Sequence, residues 1–440
     1  MHQLKLQRLG PITECELACS HFMILTGMQA SGKSTVAKAI YYFRTVKDDI
    51  YAAIERRAVE AFQNSSSQSD GLTRELLDIL RKKFFQLFGS SWGMDQDMRL
   101  EYHYTKDCYI ELHLRKSWDY PTPNYLWIEL CPALRDFLER GDHALSATAT
   151  GIPAPQREQL QHELQNIFDD KYNIVYIPAG RSMLTLLAQQ WSYIYIMMDE
   201  AQKRTLDYCT QRYIERILAV KPEFSDGLGG LLASYGTGTH ETLGTWKTAL
   251  TLVDKILRGS YKVEDGGERI VLKNGKYVKI NFASSGQQES VWILNLLLYY
   301  FAQNRPSMFF IEEPESHLFP RTQKSIMELI ALISNEGHSM LVTTHSPYVL
   351  GTLNNLLYAG HFRRSDRQKQ AADLFPNSLW LDHEEFDAWF VSDGKLENCM
   401  DSEIHLIQNE KIDEVSTVIN EDYDRLFELR HKEDWANASR

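Results

Sequence analysis

Apolar and polar positions along the chain alternate between two periods, and the changes of period mark its elements. The run His21-Phe22-Met23-Ile24-Leu25-Thr26 is short, β-rich and apolar, and a glycine-bounded loop follows it. A helical pattern then extends over residues 33–62, so the segment reads strand, loop, long helix. The polar stretch Gln63 to Asp70 breaks this pattern as an exposed linker. Residues 72–88 fit an amphipathic helix, while 98–117 and 124–130 alternate as strands do. A second soft joint, Ser146 to Pro155, precedes a helix over 157–168, a strand from Asn173 to Ile177 and a mostly helical region from Ser182 to Val220. The glycine cluster Gly227 to Gly238 is too irregular for a phosphate-binding fingerprint and reads as a flexible loop. Asn274-Gly275 between two β-rich runs predicts a hairpin over 270–278. From Ser284 to Leu357 helix and apolar strand alternate, the pattern of a parallel sheet flanked by helices. No internal repeat or sustained heptad series is present.

Composition narrows the class. With 440 residues and 43% hydrophobic content, the chain can bury a large core and is expected to divide into two or three lobes. No window reaches the ~18 apolar residues that a membrane helix needs, and the first ten residues lack the apolar core of a signal peptide. A soluble, cytoplasmic protein without membrane contact is expected. The six cysteines form no C-x-x-C pair, and Cys15 and Cys19 have no second pair of ligands nearby. They read as reduced structural thiols. The net charge is −12, and residues 381–440 hold 17 acidic against 6 basic residues. The body is thus nearly neutral and any contact with nucleic acid must be local. Two clusters could make one: Arg81-Lys82-Lys83 beside Phe84 and Phe85, and Arg363-Arg364 with Arg367 and Lys369. Clusters of this size are more often simply a solvated face.

Four motifs carry chemistry. Gly27-Met28-Gln29-Ala30-Ser31-Gly32-Lys33-Ser34 is a full G-x-x-x-x-G-K-[ST] between a strand and a helix. Its glycines allow a tight turn whose N–H groups point at a phosphate, and the following helix adds its positive end. Gly27, Ala30, Ser31, Gly32, Lys33, Ser34 and Thr35 are the nucleotide-binding candidates, with Lys33 for the β- and γ-phosphates and Ser34 for Mg²⁺. Met308 to Glu315 is an apolar strand ending in two carboxylates, the form of a Walker B. Glu312 stands where an acid holds the metal's water shell, and Glu313 where a base orients the attacking water. Ser284-Ser285-Gly286-Gln287-Gln288-Glu289 opens a helix. It resembles the L-S-G-G-Q signature of ABC ATPases at Ser285, Gly286 and Gln288, and departs from it at Ser284 and Gln287. Last, Met340 to Thr344 is an apolar strand ending at His345, the place of a switch histidine on the γ-phosphate.

The order of these motifs resembles that of ABC/SMC-like P-loop ATPases. Ile311-Glu312-Glu313-Pro314-Glu315-Ser316-His317-Leu318-Phe319-Pro320 is similar to the E-E-P-E-x-H-L-x-P form of RecF-like and OLD-like ATPases. The same form occurs in the ATPase subunits of anti-phage systems such as Septu, PARIS and some retrons. The resemblance implies an α/β fold: an ABC-type ATPase head over 1–50 and 270–380, a large inserted α+β and helical lobe over 51–269, and an acidic segment over 381–440. It implies ATP and Mg²⁺ as cofactors and an ATP-sandwich homodimer, possible as a higher oligomer, in which one chain's signature meets the other's nucleotide. By the same analogy Arg181, in Tyr176-Ile177-Pro178-Ala179-Gly180-Arg181, either reaches the site as a Q-loop does or simply caps its strand. The TOPRIM nuclease domain of OLD proteins is not expected after Leu357, and Asp422-Tyr423-Asp424 reads as a chance D-x-D.

The function implied is an ATPase that controls a separately encoded effector, a nuclease, in anti-phage defence. The alternative is a RecF-like ATPase of DNA maintenance that binds duplex DNA. A transporter subunit fits least, because the interval from Thr35 to Ser284 exceeds a compact transporter lobe. Within the acidic segment Ile404, Leu406, Ile407, Ile412, Val415, Val418, Ile419, Leu426 and Leu429 recur at near-helical spacing. One face is expected to pack, and the acidic face with Glu410, Asp413, Glu414, Glu421 and Asp422 reads first as a plain solvated helical face and, as the alternative, as a surface that docks a basic effector.

Overall fold

The computed structural model describes residues 2–63, 71–90, 93–115, 125–147, 154–188, 190–199, 202, 206–235, 240–264, 267–408 and 418–428. Most of both expected joints (64–70 and 148–153), and Glu410, Ile412, Asp413, Glu414, Val415 and Leu429, lie outside the described residues.

Three sheets organise the chain. β1 (Gln3–Leu9), β2 (Ile12–Ala18), β4 (Arg99–His103), β5 (Tyr109–Arg115) and β6 (Tyr125–Leu130) form an antiparallel sheet in the order β2-β1-β4-β5-β6. The central sheet runs β14-β13-β3-β12-β11-β7, from β3 (Phe22–Thr26), β7 (Asn173–Ile177), β11 (Ser307–Glu312), β12 (Ser339–Thr344), β13 (Phe386–Ser392) and β14 (Lys395–Asn398). Its strands are parallel except β14. The hairpin β9 (Gly267–Val271) and β10 (Tyr277–Lys279) joins β8 (Ser260–Glu264) in a small third sheet, with Asn274 and Gly275 at its turn as expected.

The continuous apolar runs of β3, β11 and β12 follow from burial on both faces. Phe22 and Ile24 enter one core, which also holds the helix Ser285–Ala302. Met23 and Leu25, pointing the other way, enter the core shared with the helix Lys33–Arg44 and the five-stranded sheet. No described helix is long and apolar enough to cross a membrane.

The topology redraws the expected boundaries. β7 comes from within 51–269 yet is an edge strand of the central sheet beside β11, and β4 to β6 extend the sheet begun by β1 and β2. The acidic segment 381–440 contributes to the central sheet as well, since β13 pairs with β3 in register from Phe386↔Phe22 to Phe390↔Thr26. Phe386, Ala388, Phe390 and Val391 are buried, while the acids that set the charge sit at the positions between them or beyond the strand ends. A charge count over sixty residues hid a seven-residue strand. The helix at 418–428 is exposed throughout, so the face expected to pack there does not; Val418, Ile419 and Leu426 stand in solvent.

Two further expectations change. Residues Gly227–Tyr235 form a helix rather than a loop, anchored by buried Leu228 and Leu231. Its Gly227, at φ 67, lies where a Cβ would come within 3.0 Å of the Tyr261 carbonyl. Arg81-Lys82-Lys83 is no phosphate patch. Lys83 is buried against Asp49 at 2.5 Å and over the Tyr42 ring, Arg81 donates to the Leu126 carbonyl and to Asp78, and Phe84 is core. Arg363, Arg364, Arg367 and Lys369 are exposed.

Candidate functional site

Because β3, β12, β11 and β7 are parallel and adjacent, the loops leaving their carboxyl ends converge on one edge, the usual ligand position of open α/β sheets. The first of these loops is the glycine-rich one. Gly27 (φ 139) lies so close to β13 that a Cβ would come within 2.3 Å of the Val391 carbonyl, and at Gly32 (φ 112) a Cβ would meet the Ile12 side chain at 2.5 Å. Both positions demand glycine for reasons the motif does not state: one strand and one hairpin hold the loop from either side. Ala30 also takes a positive φ of 61. Lys33 opens the helix, and its Nζ donates to the carbonyls of Gly27 (2.9 Å) and Met28 (2.7 Å). Burial pulls its pKa below the usual lysine range, against the raising influence of Glu313, Glu315 and Glu312. A cavity of about 920 Å³, lined in part by Ser34, Thr35, Lys38, Arg8 and Phe88, opens beside the same helix.

At the end of β11, Glu312 is nearly buried; Tyr176 Oη donates to its Oε1 at 2.9 Å and the Ala179 amide to its Oε2 at 3.1 Å. Glu313 turns the chain with φ 44, its N–H on the Thr343 carbonyl at 2.9 Å. The side chain then lies between Ser316, whose hydroxyl donates to Oε2 at 3.2 Å, and His345, whose Nδ1 is 3.5 Å from Oε1. A third carboxylate, Glu315, went unassigned in the sequence reading. Its Oε1 accepts from the Thr344 hydroxyl at 2.6 Å and from the His345 amide at 3.2 Å, so it fixes the backbone that carries His345. Burial raises its pKa above the usual carboxylate range, and its hydrogen bonds oppose that.

Around this edge the buried Glu315 Oε2, Ser31 Oγ and Thr26 Oγ1 have no hydrogen-bond partner. Buried polar atoms left unsatisfied are costly; Thr26 and Ser31 belong to the end of β3 and the glycine-rich loop, and Glu315 to the loop after β11. Among the described residues no group of three His, Cys, Asp or Glu could hold a metal ion alone.

The turn that resembles the signature motif opens a capped helix. Ser284 caps the helix Ser285–Ala302 in a reciprocal box with Gln287, which accounts for both departures from L-S-G-G-Q. At Gly286 a Cβ would come within 2.9 Å of the His317 carbonyl, so the turn is pressed onto the loop after β11. Ser285 is exposed. Gln288 is not available to a ligand as its match to the signature suggested: its amide donates inward to the Ile280 carbonyl at 2.9 Å.

Arg181 is fully buried, so it does not reach out as a Q-loop residue would. Its guanidinium donates to the carbonyls of Pro178 (2.7 Å), Glu312 (2.5 Å) and Glu313 (2.8 Å), and it pairs with Glu289 at 3.2 Å. The strand-capping alternative is the one the geometry favours. A helical region from Ser182 was legible in the sequence, but apart from Pro178 the partners of Arg181 come from two segments more than a hundred residues away.

Residues 147–350, less than half of the chain, match the family described as AAA ATPase domain. The match takes in Arg181, Ser285, Glu312, Glu313 and His345 but not the glycine-rich loop, so the two lines of evidence for a P-loop ATPase are separate. No curated protein matches the chain. Among solved structures, the SMC head domain from Thermotoga maritima aligns at 12% identity over 90% of this chain and 97% of its own, TM-score 0.36. An Smc head from Pyrococcus furiosus with an extended coiled coil, bound to the C-terminal domain of ScpA, aligns at 12% over 96% and 100%, TM-score 0.37. An ATP-binding cassette dimer bound to ADP and Pi aligns at 12% over 90% and 97%, TM-score 0.30. Likenesses this distant leave the functional reading to the geometry of the site.

Proposed function

We propose that the chain is an ATPase whose two copies enclose ATP, each nucleotide held by the Gly27–Thr35 loop of one copy and the Ser285–Gly286 turn of the other. One observation carries this reading. The signature turn sits on the loop after β11, whereas the phosphate loop leaves β3, with β12 between the two strands. In this reading a single chain would present two half-sites, each completed by a second copy.

In this reading the N–H groups of 27–34 and Lys33 take the β- and γ-phosphates, and Ser285 with the following helix end takes the γ-phosphate from across the interface. Ser34 and Glu312 would hold Mg²⁺, which when bound neutralises charge on the phosphates. Glu312 is already aimed by Tyr176 and Ala179, as an acid acting through the metal's waters should be. Glu313 Oε1 accepts the proton of the attacking water as its oxygen joins the γ-phosphorus and the bond to ADP breaks, giving ADP and phosphate. His345, half-exposed beside Glu313, donates to the γ-phosphate and reports its presence.

The closed and open states would control a separately encoded effector, a nuclease, inside the cytoplasm. The test is copurification of the chain with its native partner, followed by analytical ultracentrifugation with and without ATP. ATP-independent monomers would overturn the dimer, and a nucleotide-driven dimer that copurifies with no effector would overturn the control role. The DNA-maintenance alternative has less support, because one of its two basic clusters is consumed by Asp49, Asp78 and Leu126. Turnover stimulated by duplex DNA in the lone protein would reinstate it.

A further inference from the structure

We infer that Arg181 and Glu289 are positioning residues that couple the signature turn to the Glu312–Glu313 carboxylates, so that the two ATP sites of a dimer fire cooperatively. The inference rests on the two-site reading above. Glu289 lies four residues after Ser285 in the same helix, so the two share a face one turn apart. Its carboxylate is buried, 1% exposed, and is held at the start of one helix: Oε2 accepts the Arg181 amide at 3.0 Å, Oε1 the Ser182 amide at 2.9 Å, and the Arg181 side chain pairs with it at 3.2 Å. Arg181 Nε donates also to the Glu289 carbonyl at 3.1 Å. The other end of the same guanidinium grips the peptide carbonyls of Glu312 and Glu313.

A guanidinium is planar and always charged, and its donors point in fixed directions. Clamped between one helix and one strand end, it cannot follow a shift of the helix without dragging the carbonyls it holds. Those carbonyls belong to the turn in which Glu313 adopts φ 44, the conformation that sets its side chain beside His345. A buried ion pair is a poor way to gain stability over apolar packing, but it fixes geometry. In the dimer the signature turn faces the partner's nucleotide while Glu313 serves the chain's own. The strut therefore passes the occupancy of one site to the catalytic acid of the other.

The test uses the full chain with Arg181→Lys and Glu289→Gln, and Thr185→Val as a control. Thr185 donates to the Gln288 carbonyl at 3.1 Å, so the control loosens the same pair of helices without touching Glu289 or the strand end. Steady-state turnover against ATP concentration should show wild type and control cooperative. Both strut variants should lose the sigmoid shape and drop roughly tenfold or more in kcat, while ATP affinity by calorimetry stays within about twofold. Strut variants that remain cooperative, or a control that loses cooperativity equally, would overturn the inference. Should a strut variant fail to melt cooperatively, hydrogen exchange on the wild type decides. ATP should slow exchange at the Arg181 and Ser182 amides together with the signature turn, and unchanged Arg181 and Ser182 amides reject the coupling. A wild type that binds no ATP, or binds it as a monomer, sinks the two-site reading and this inference with it; a cooperative wild type with cooperative strut variants sinks the inference alone.

Discussion

His345 Nδ1 lies 3.5 Å from Glu313 Oε1, although 32 positions separate the two residues in the chain. They meet because β11 and β12 are parallel neighbours in register from Met308↔Ser339 to Glu312↔Thr343. Each strand ends by delivering one polar side chain to the same point. Glu313→Gln should keep the shape of this pair while removing the carboxylate that accepts the proton of water. Turnover is expected to fall by roughly a hundredfold or more, with ATP still bound and the dimer more populated than in wild type. Gel filtration with ATP and a phosphate-release assay measure both.

Lys33→Ala removes an ammonium that bridges the carbonyls of Gly27 and Met28 in the phosphate loop. ATP binding should become undetectable by calorimetry, with the melting temperature little changed, because the ammonium's burial opposes its own charge. An unchanged affinity would remove the loop from the ATP site.

Gly27→Ala should behave otherwise. The new methyl collides with the Val391 carbonyl and the residue must hold φ 139, a cost on the order of 2 kcal/mol or more. Both the melting temperature and ATP affinity are expected to fall. Truncation before Phe386 should do the same by removing β13, whereas truncation after residue 408 leaves the central sheet whole and should leave ATP binding intact.

Acid should destabilise the fold through His338. Burial, and then the nearby His21 charge, lower its pKa from 6.5 to about 4. The unfolded chain therefore takes up a proton between those values that the folded chain refuses, so stability is full above pH 6.5 and declines as pH falls toward 4. The loss at the lower limit is on the order of 3 kcal/mol. Melting temperatures across pH 4 to 7 should slope less steeply for His338→Leu than for wild type. Equal slopes would place the acid sensitivity elsewhere, for example at His2, whose pKa burial also lowers to about 4.

What the sequence determined by itself was the set of local chemical instructions. The strand, loop and helix around Gly27 to Ser34, the strand ending in Glu312 and Glu313, the strand ending before His345 and the Asn274-Gly275 hairpin are all fixed by short-range period and turn chemistry, and all are present. The alternative left open for Arg181 was equally local, and the sequence could not choose. Tertiary structure decided what depends on distant partners. It placed β13 beside β3, making residues counted as an acidic tail into a wall of the phosphate loop. It also buried Lys83, tied Arg81 to the Leu126 carbonyl and Asp78, and turned Gln288 inward. It set Glu315 to hold His345, and it brought Glu289 to Arg181. The physical reason is the same in each case. A side chain's charge and size are written in the sequence, but whether that charge meets water, a carbonyl or an opposite charge depends on which strand lies next to which. Strand order in a parallel sheet is settled by long crossovers whose pairing no local pattern encodes.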